Sequence, residues 1–290
     1  MDFIKQFRHT FSQTTPEPEQ LALAIAGLAF PTLDMQKYLA QLDEMAESAR
    51  RTLFNVAPGK GRASCFLQII NQQLGFTGNR DDYYDPNNSF LNIVLERRTG
   101  LPIMLSLVCM AIGRRINVDI AGIGFPGHFM VRYQDVAGVW LLDPFNGAVL
   151  DRTEATAYLS RIFAQPIQLT PDAYAAVTPV ALAHRILNNL RGVYLSQRNF
   201  GMAARVIDYM LVFTPLEAEV WRERGLLHHY AEEWDAAARD LHRYFFLTGQ
   251  LTALLDLKKD EGLGTATRKA EDRQLLDLFQ KIEEIRRQIN

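Results

Sequence analysis

Hydrophobic positions divide the chain into stretches of different period. From residue 17 to about 75 they recur at helical spacing. Leu21 to Leu28 form one apolar stretch, Thr32-Leu33-Asp34 opens a second with Tyr38, Leu39, Leu42 and Met45 along one face, and Ala63 to Leu74 makes a third with Cys65, Leu67, Ile69 and Ile70 turned inward. A polar loop follows, Thr77-Gly78-Asn79-Arg80-Asp81-Asp82-Tyr83-Tyr84-Asp85-Pro86-Asn87-Asn88, rich in turn formers and long enough to carry function. Asn88 or Ser89 is placed to cap a short helix, Phe90 to Arg98, which Gly100 breaks before an almost wholly apolar helix, Leu101 to Ile116. Short apolar and aromatic blocks bounded by Gly and Pro then predict strands near Val118 to Ile123, Gly127 to Gln134, Val139 to Asp143 and Ala148 to Leu150. Helices first and strands after, in blocks, predict an α+β domain ending near residue 165.

The final third returns to a helical period. Counting back from Pro215 places Leu187, Leu190, Tyr194, Ala203, Ile207 and Met210 at the packing positions of a 34-residue helix-turn-helix unit. One unit further on come Trp221, His228, Ala237, Leu241 and Tyr244, with Gly225 at the small position of the first helix. This resembles two tetratricopeptide repeats, an all-α module. Two repeats are fewer than the three or so that such arrays need for independent stability, so the pair is expected to lean on the α+β domain or on a terminal helix. Leu275, Leu278, Phe279, Ile282 and Ile289 supply that helix's apolar stripe, and Lys258 to Arg273 before it reads as a mobile polar linker. The expected organisation is therefore an N-terminal extension over 1–16, the α+β domain over 17–165, two repeats with a lead-in helix over 166–257, and linker plus capping helix over 258–290.

Composition narrows the function classes. The 290 residues are 48% hydrophobic and 22% charged, a mixture that buries a sizeable core. The net charge of −2 is spread over interleaved acids and bases, so no field recruits nucleic acid or an anionic membrane surface. Leu101 to Gly113 would span roughly 20 Å as a helix, short of the ~30 Å of a bilayer core. The N-terminus lacks the apolar centre and cleavage site of a secretory signal, and two cysteines in apolar helical contexts are too few for a disulfide scaffold. A cytoplasmic protein fits these features, with Cys65 and Cys109 as buried hydrophobes.

Two polar residues in the strand region carry the candidate chemistry. His128 lies in Gly124-Phe125-Pro126-Gly127-His128-Phe129 and Asp143 in Trp140-Leu141-Leu142-Asp143-Pro144. With Gln134-Asp135-Val136-Ala137-Gly138 as a hairpin loop, residues whose numbers sum to about 271 face each other, which sets His128 opposite Asp143 or one step away. A His beside an Asp on adjacent strands is two thirds of a catalytic triad. Equally, it is a buried hydrogen bond that holds two strands in register. Strand alternation puts Met130 and Arg132 on the His128 face, where Arg132 could meet an acidic group. Ser106 on the apolar helix could approach the His, or simply bond its own surroundings. The stretch from Tyr83 to Asn92 presents the remaining polar groups of the candidate cleft. No metal is expected, because His128 and Asp143 supply two ligands where zinc wants three or four. No cofactor is expected either, since Pro58-Gly59-Lys60-Gly61-Arg62 lacks the spacing of a phosphate loop.

Gly100-Leu101-Pro102 at a helix start, a strand with His128 and a strand ending in Asp143-Pro144 resemble the core of the transglutaminase-like, cysteine-protease-like superfamily. That resemblance implies a Cys at the N-terminus of the buried helix, where the dipole and the His favour its thiolate. Here the place falls at Pro102. Tyr83-Tyr84-Asp85-Pro86, Asn88-Ser89-Phe90-Leu91-Asn92, Arg97-Arg98-Thr99-Gly100-Leu101-Pro102, Leu105-Ser106, Gly124 to Phe129 and Asp143-Pro144-Phe145-Asn146-Gly147 together are similar to the bacterial SirB-one family. Its members join a transglutaminase-like domain lacking the nucleophile to tetratricopeptide repeats. What this implies is a non-catalytic binding or regulatory protein with a protein or peptide partner. A different class of reading is a residual hydrolase or acyl-transferase using Ser106 with His128 and Asp143.

Overall fold

A computed structural model of the chain describes residues 2–125, 127–250 and 266–289. Its packing divides into two compact units, Met1–Asn189 and Leu190–Asn290.

The first unit opens with a helix where the sequence suggested only an extension. Helix α1, Phe3–Phe11, is capped by the Asp2 carboxylate and buries Phe3 and Phe7, one turn apart on one face. The Phe3 ring occupies the space a side chain at Gly27 would fill, its Cγ 2.0 Å from an added Cβ, so only glycine admits this contact. Helix α2, Pro18–Ala26, is buried along most of its length, and α3, Met35–Leu53, starts on the Asp34 cap, with Tyr38, Leu42 and Met45 inward. Helix α4, Lys60–Gln68, passes into a π-turn, Ile69–Gln73. Cys65 on it is only half-buried, which corrects the expectation of a core thiol.

The two-residue strands β1, Thr77–Gly78, and β2, Thr99–Gly100, pair in parallel and bracket the polar loop and helix α5, Leu91–Arg97. Neither Asn88 nor Ser89 caps α5. Phe90 takes the cap position without a side-chain bond, because 86–89 form a 3₁₀ turn and Asn88 points back into the loop. There it donates to the carbonyls of Asp82 (2.7 Å) and Tyr83 (3.2 Å) and accepts from Asn79 (2.9 Å).

Helix α6, Pro102–Arg115, has proline at its first position and is buried from Pro102 to Gly113. It lies against a four-stranded antiparallel sheet in the order β3-β4-β5-β6, comprising Asp119–Phe125, His128–Asp135, Gly138–Asp143 and Ala148–Leu150. Glycine permits the close approach: a Cβ on Gly113 would stand 2.6 Å from Ile120, and one on Gly122 would stand 2.9 Å from the Met110 sulfur. The β4–β5 register pairs Val131 with Leu142 and Asp135 with Gly138, so facing numbers sum to 273 rather than about 271. Strand pairing runs further into the expected loop, because the Asp135 carboxylate takes the Ala137 N–H at 2.8 Å and leaves a two-residue turn. A shift of two keeps every side chain on its expected face.

Helix α7, Arg152–Ile162, starts on an Asp151–Glu154 capping box and was hidden in the sequence because only Ala155 and Leu159 are buried. Together with Leu169 it covers the face of the sheet that carries Ile123, Phe125, Met130 and Leu141. The chain keeps packing on the sheet beyond residue 165, and the Val177 N–H reaches the Gly122 carbonyl at 2.8 Å.

Helix α8, Pro179–Ser196, runs across the division between the units. In the second unit α9, Phe200–Phe213, α10, Ala218–Tyr230, and α11, Trp234–Leu247, follow as antiparallel neighbours. Leu187, Leu190, Tyr194, Ala203, Ile207, Met210, Ala237, Leu241 and Tyr244 are all buried. Gly225 abuts Leu241, whose side chain would lie 2.9 Å and main-chain nitrogen 3.2 Å from an added Cβ. Trp221 is partly buried, its indole N–H on the Pro215 carbonyl at 2.9 Å and the Arg224 guanidinium over its ring. His228 is half-buried, with Nδ1 2.5 Å from the Glu233 carboxylate and Nε2 3.6 Å from that of Asp240 on α11.

The last helix, α12, Ala266–Ile289, begins inside the stretch expected as linker; residues 258–265 of that stretch lie outside the described residues. Leu275, Leu276, Phe279 and Ile282 pack on Ala237, Leu241 and Phe245 of α11, so the terminal helix does close the repeats. Leu276 takes the place expected of Ile289, which is 66% exposed.

Candidate functional site

Gly127, with φ of 68°, turns the chain tightly between β3 and β4, so that Phe125 and His128 face each other at the head of the hairpin. His128 starts β4 and Asp143 ends β5. Their side chains meet, Nε2 to Oδ2, at 2.8 Å. An ionised carboxylate only accepts, so the proton of this bond sits on Nε2.

Asp143 is the organising group. Oδ2 also accepts from the Tyr158 hydroxyl at 2.7 Å and the Asn146 amide at 2.8 Å, while Oδ1 takes the main-chain N–H groups of Phe145 and Asn146 at 3.0 and 3.1 Å. Burial alone pushes this carboxyl's pKa up, but the bonds from His128, Tyr158 and Asn146 outweigh it and hold the pKa below the usual range. The Tyr158 hydroxyl is driven the other way, by burial first and by its hydrogen bond to Asp143 second. Asp143 is fully buried and His128 is 8% exposed, so the pair lies nearly closed beneath α7.

The other candidates divide. Tyr83 joins the neighbourhood: its ring meets Phe145 edge-on at 6.2 Å, next to the Asp143 turn. Arg80 ties the same loop down, donating to the Asn146 side-chain oxygen at 2.6 Å and stacking over Phe145. Ser106 approaches β4 from the α6 side, the face of Phe129 and Val131, and donates to the Phe129 carbonyl at 3.5 Å. Arg132 shares the His128 face but lies four residues along, roughly 13 Å of strand away. It meets the Asp119 carboxylate at 3.6 Å and the Tyr174 carbonyl at 3.3 Å, not Asp143. Asn92 turns toward Tyr38, whose hydroxyl burial and the neighbouring Glu96 raise to about 12. Cys109 is fully buried and its thiol pKa is raised, chiefly by desolvation.

Sequence reasoning missed Tyr158, Asn146 and Arg185. Tyr158 comes from a helix with little apolar signal. Asn146 had one: Asp-Pro-x-Asn-Gly is turn chemistry that folds a side chain back onto the Asp. Arg185, on α8, donates to the carbonyls of Phe125 (2.9 Å) and His128 (3.2 Å) and stacks on the Phe129 ring, which pins the hairpin head. Among the described residues, no three His, Cys, Asp or Glu side chains gather as metal ligands, and no helix is long and apolar enough to cross a membrane.

Fold and site together define a transglutaminase-like α+β domain that keeps a His–Asp pair and is followed by tetratricopeptide repeats. Residues 36–188 match the transglutaminase-like superfamily and residues 190–258 the tetratricopeptide repeat. The UPF0162 protein of Xylella fastidiosa strain Temecula1 is 35% identical over 237 residues, covering 78% of this chain and 82% of that one. Protein SirB1 of Salmonella typhimurium is 24% identical over 222 residues, with 76% and 81% covered. F-box only protein 21 of Pongo abelii is 26% identical over 235 residues, 72% of this chain but 38% of that longer protein. The chain belongs to the SirB-one family of transglutaminase-like proteins.

Proposed function

We propose that this chain is a non-catalytic binding and regulatory protein of the cytoplasm, with a protein or peptide partner engaged through its repeats. The observation that carries the reading is the start of α6. Its first residue is Pro102, and the nucleophile-type side chains further along the helix, Ser106 and Cys109, are both fully buried. Ser106 is bonded to a main-chain carbonyl, and the Cys109 thiol is held protonated by desolvation. Asp143 already accepts five donors, an arrangement suited to fixing a turn and a ring orientation.

The residual hydrolase reading requires a reactive Ser106. Incubating the folded protein with a fluorophosphonate and with iodoacetamide, followed by peptide mass spectrometry, tests it directly. Neither Ser106 nor Cys109 is expected to be modified. Stoichiometric phosphonylation of Ser106 that His128→Ala abolishes would overturn the proposal. For the binding half, Leu216 and Tyr230 are exposed apolar residues of the repeat region. A partner cross-linked to the intact chain is expected to be lost from a Leu216→Glu, Tyr230→Glu variant. Unchanged capture by that variant would remove the repeats as the binding surface.

A further inference from the structure

On the first unit, a cavity of about 290 Å³ opens between α4 with its π-turn and the edge of the sheet. It is lined by Ser64, Leu67, Gln68, Asn71, Gln72, Gly147 and Val149, with no charged side chain among them. Three features bear on what fits there. First, β6 is the terminal strand of its sheet and pairs only with β5, so its outer edge carries no ladder bond among the described residues. Second, Asn71 spends both amide hydrogens on the carbonyls of Phe76 and Pro144, each at 2.8 Å, while its Oδ1 is buried with no donor. A buried acceptor left unmade is destabilising, and an incoming N–H would relieve it. Third, the helix widens to a π-turn at Ile69–Gln73, the segment that supplies Asn71 and Gln72, and such turns recur at functional sites.

An open strand edge recognises extended main chain, neutral amides recognise peptide groups, and an orphaned acceptor calls for an N–H donor. We propose that this pocket docks an extended, uncharged segment of a partner polypeptide, which adds a strand to β6 and seats one or two neutral side chains between Gln68, Gln72 and Val149. The site is separate from the repeat face and from the His128 ring. It is joined to Asp143 by one turn, in which the Gly147 N–H bonds the Asp143 carbonyl at 2.8 Å.

The test is selection of a phage-displayed random heptapeptide library on the intact chain, with synthetic versions of the selected peptides then titrated by calorimetry. The expected winners are proline-free, weakly charged sequences rich in β-branched residues. Their affinity should fall at least tenfold on Gln72→Trp, which fills the pocket from its exposed rim, and on Val149→Pro, which disturbs β6. Tyr230→Ala should leave it unchanged. If Val149→Pro fails to fold, Gln72→Trp alone decides, with its melting curve as the check on folding. Selection of no peptide, or of peptides that bind Gln72→Trp as well as wild type, overturns the proposal. Failure here would leave the repeat-face reading standing, since that reading is tested by different residues.

Discussion

Replacing Asp143 by alanine removes the acceptor of five hydrogen bonds at once. Asn146 is exposed and Phe145 half-buried, so their N–H groups recover water readily. His128, which is 8% exposed, and the hydroxyl of the half-buried Tyr158 recover it less readily. Each loses a hydrogen bond to a charged group, worth about 1.5–3 kcal/mol, and since both bonds share Oδ2 the two losses do not simply add. A loss of about 3–5 kcal/mol is expected from the two together. Asp143→Asn keeps the shape but sets an NH₂ against donors, and should cost about 2–3 kcal/mol. Urea unfolding read by Trp140 fluorescence measures this in the unit concerned. The two other tryptophans, Trp221 and Trp234, are in the second unit and are replaced by phenylalanine in the background. For an m-value of roughly 2–3 kcal/mol/M, the alanine variant's midpoint should fall by about 1–2 M. The pH dependence follows from linkage. The folded pKa of Asp143 lies below its unfolded value near 3.9, so the unfolded state binds more protons in the interval between them. Its contribution is therefore complete above about pH 4 and is withdrawn as the pH falls toward the depressed folded value. The gap between wild type and Asp143→Asn should narrow over that interval. A loss under about 1 kcal/mol for Asp143→Ala, or a gap that widens in acid, refutes the claim that the carboxylate organises this corner.

Gly225→Ala should destabilise the repeats by about 1–3 kcal/mol in thermal unfolding despite alanine's better helix propensity, since the new methyl meets Leu241 side chain and main chain; a rise in Tm would show that the helices part freely. Ellman's reagent should modify the half-buried Cys65 in the native protein and reach Cys109 only at the rate of unfolding, and equal rates would contradict the burial of Cys109. Ile282→Ala on α12 should cost about 2–5 kcal/mol while Ile289→Ala stays within about 0.5, as measured by chemical denaturation; parity between them would place the capping contacts elsewhere. Arg224 grips Asp240 with two bonds of 2.7 Å and reaches Asp208 at 2.5 Å, so Arg224→Ala should cost about 3–5 kcal/mol; a loss below about 1 would mean the two carboxylates find other partners.

Much of this was legible because periodicity reports burial. The continuous apolar run of α6, the short strand blocks and the Gly225 position each follow from how one element must meet another, and each is found where the spacing put it. The His128–Asp143 contact survived an error of two in the hairpin register for the same reason, since the face of a strand residue depends only on parity. What failed were local choices between competing bonds. Asn88 could have capped α5 but was taken by the loop, and Arg132 met Asp119 rather than the Asp143 corner.

The sequence by itself determined the order and kind of the elements other than α1 and α7, the presence of repeats and the absence of a cysteine at the start of α6, because these are one-dimensional facts of pattern and identity. Only the tertiary structure decided that Tyr158 and Asn146 saturate Asp143, that Ser106 bonds to main chain, and that Arg185 pins the hairpin head. Those contacts join residues from 3 to 60 positions apart through polar side chains, which leave no periodic trace. Their partners are chosen by which donor first satisfies a buried acceptor once the layers have closed.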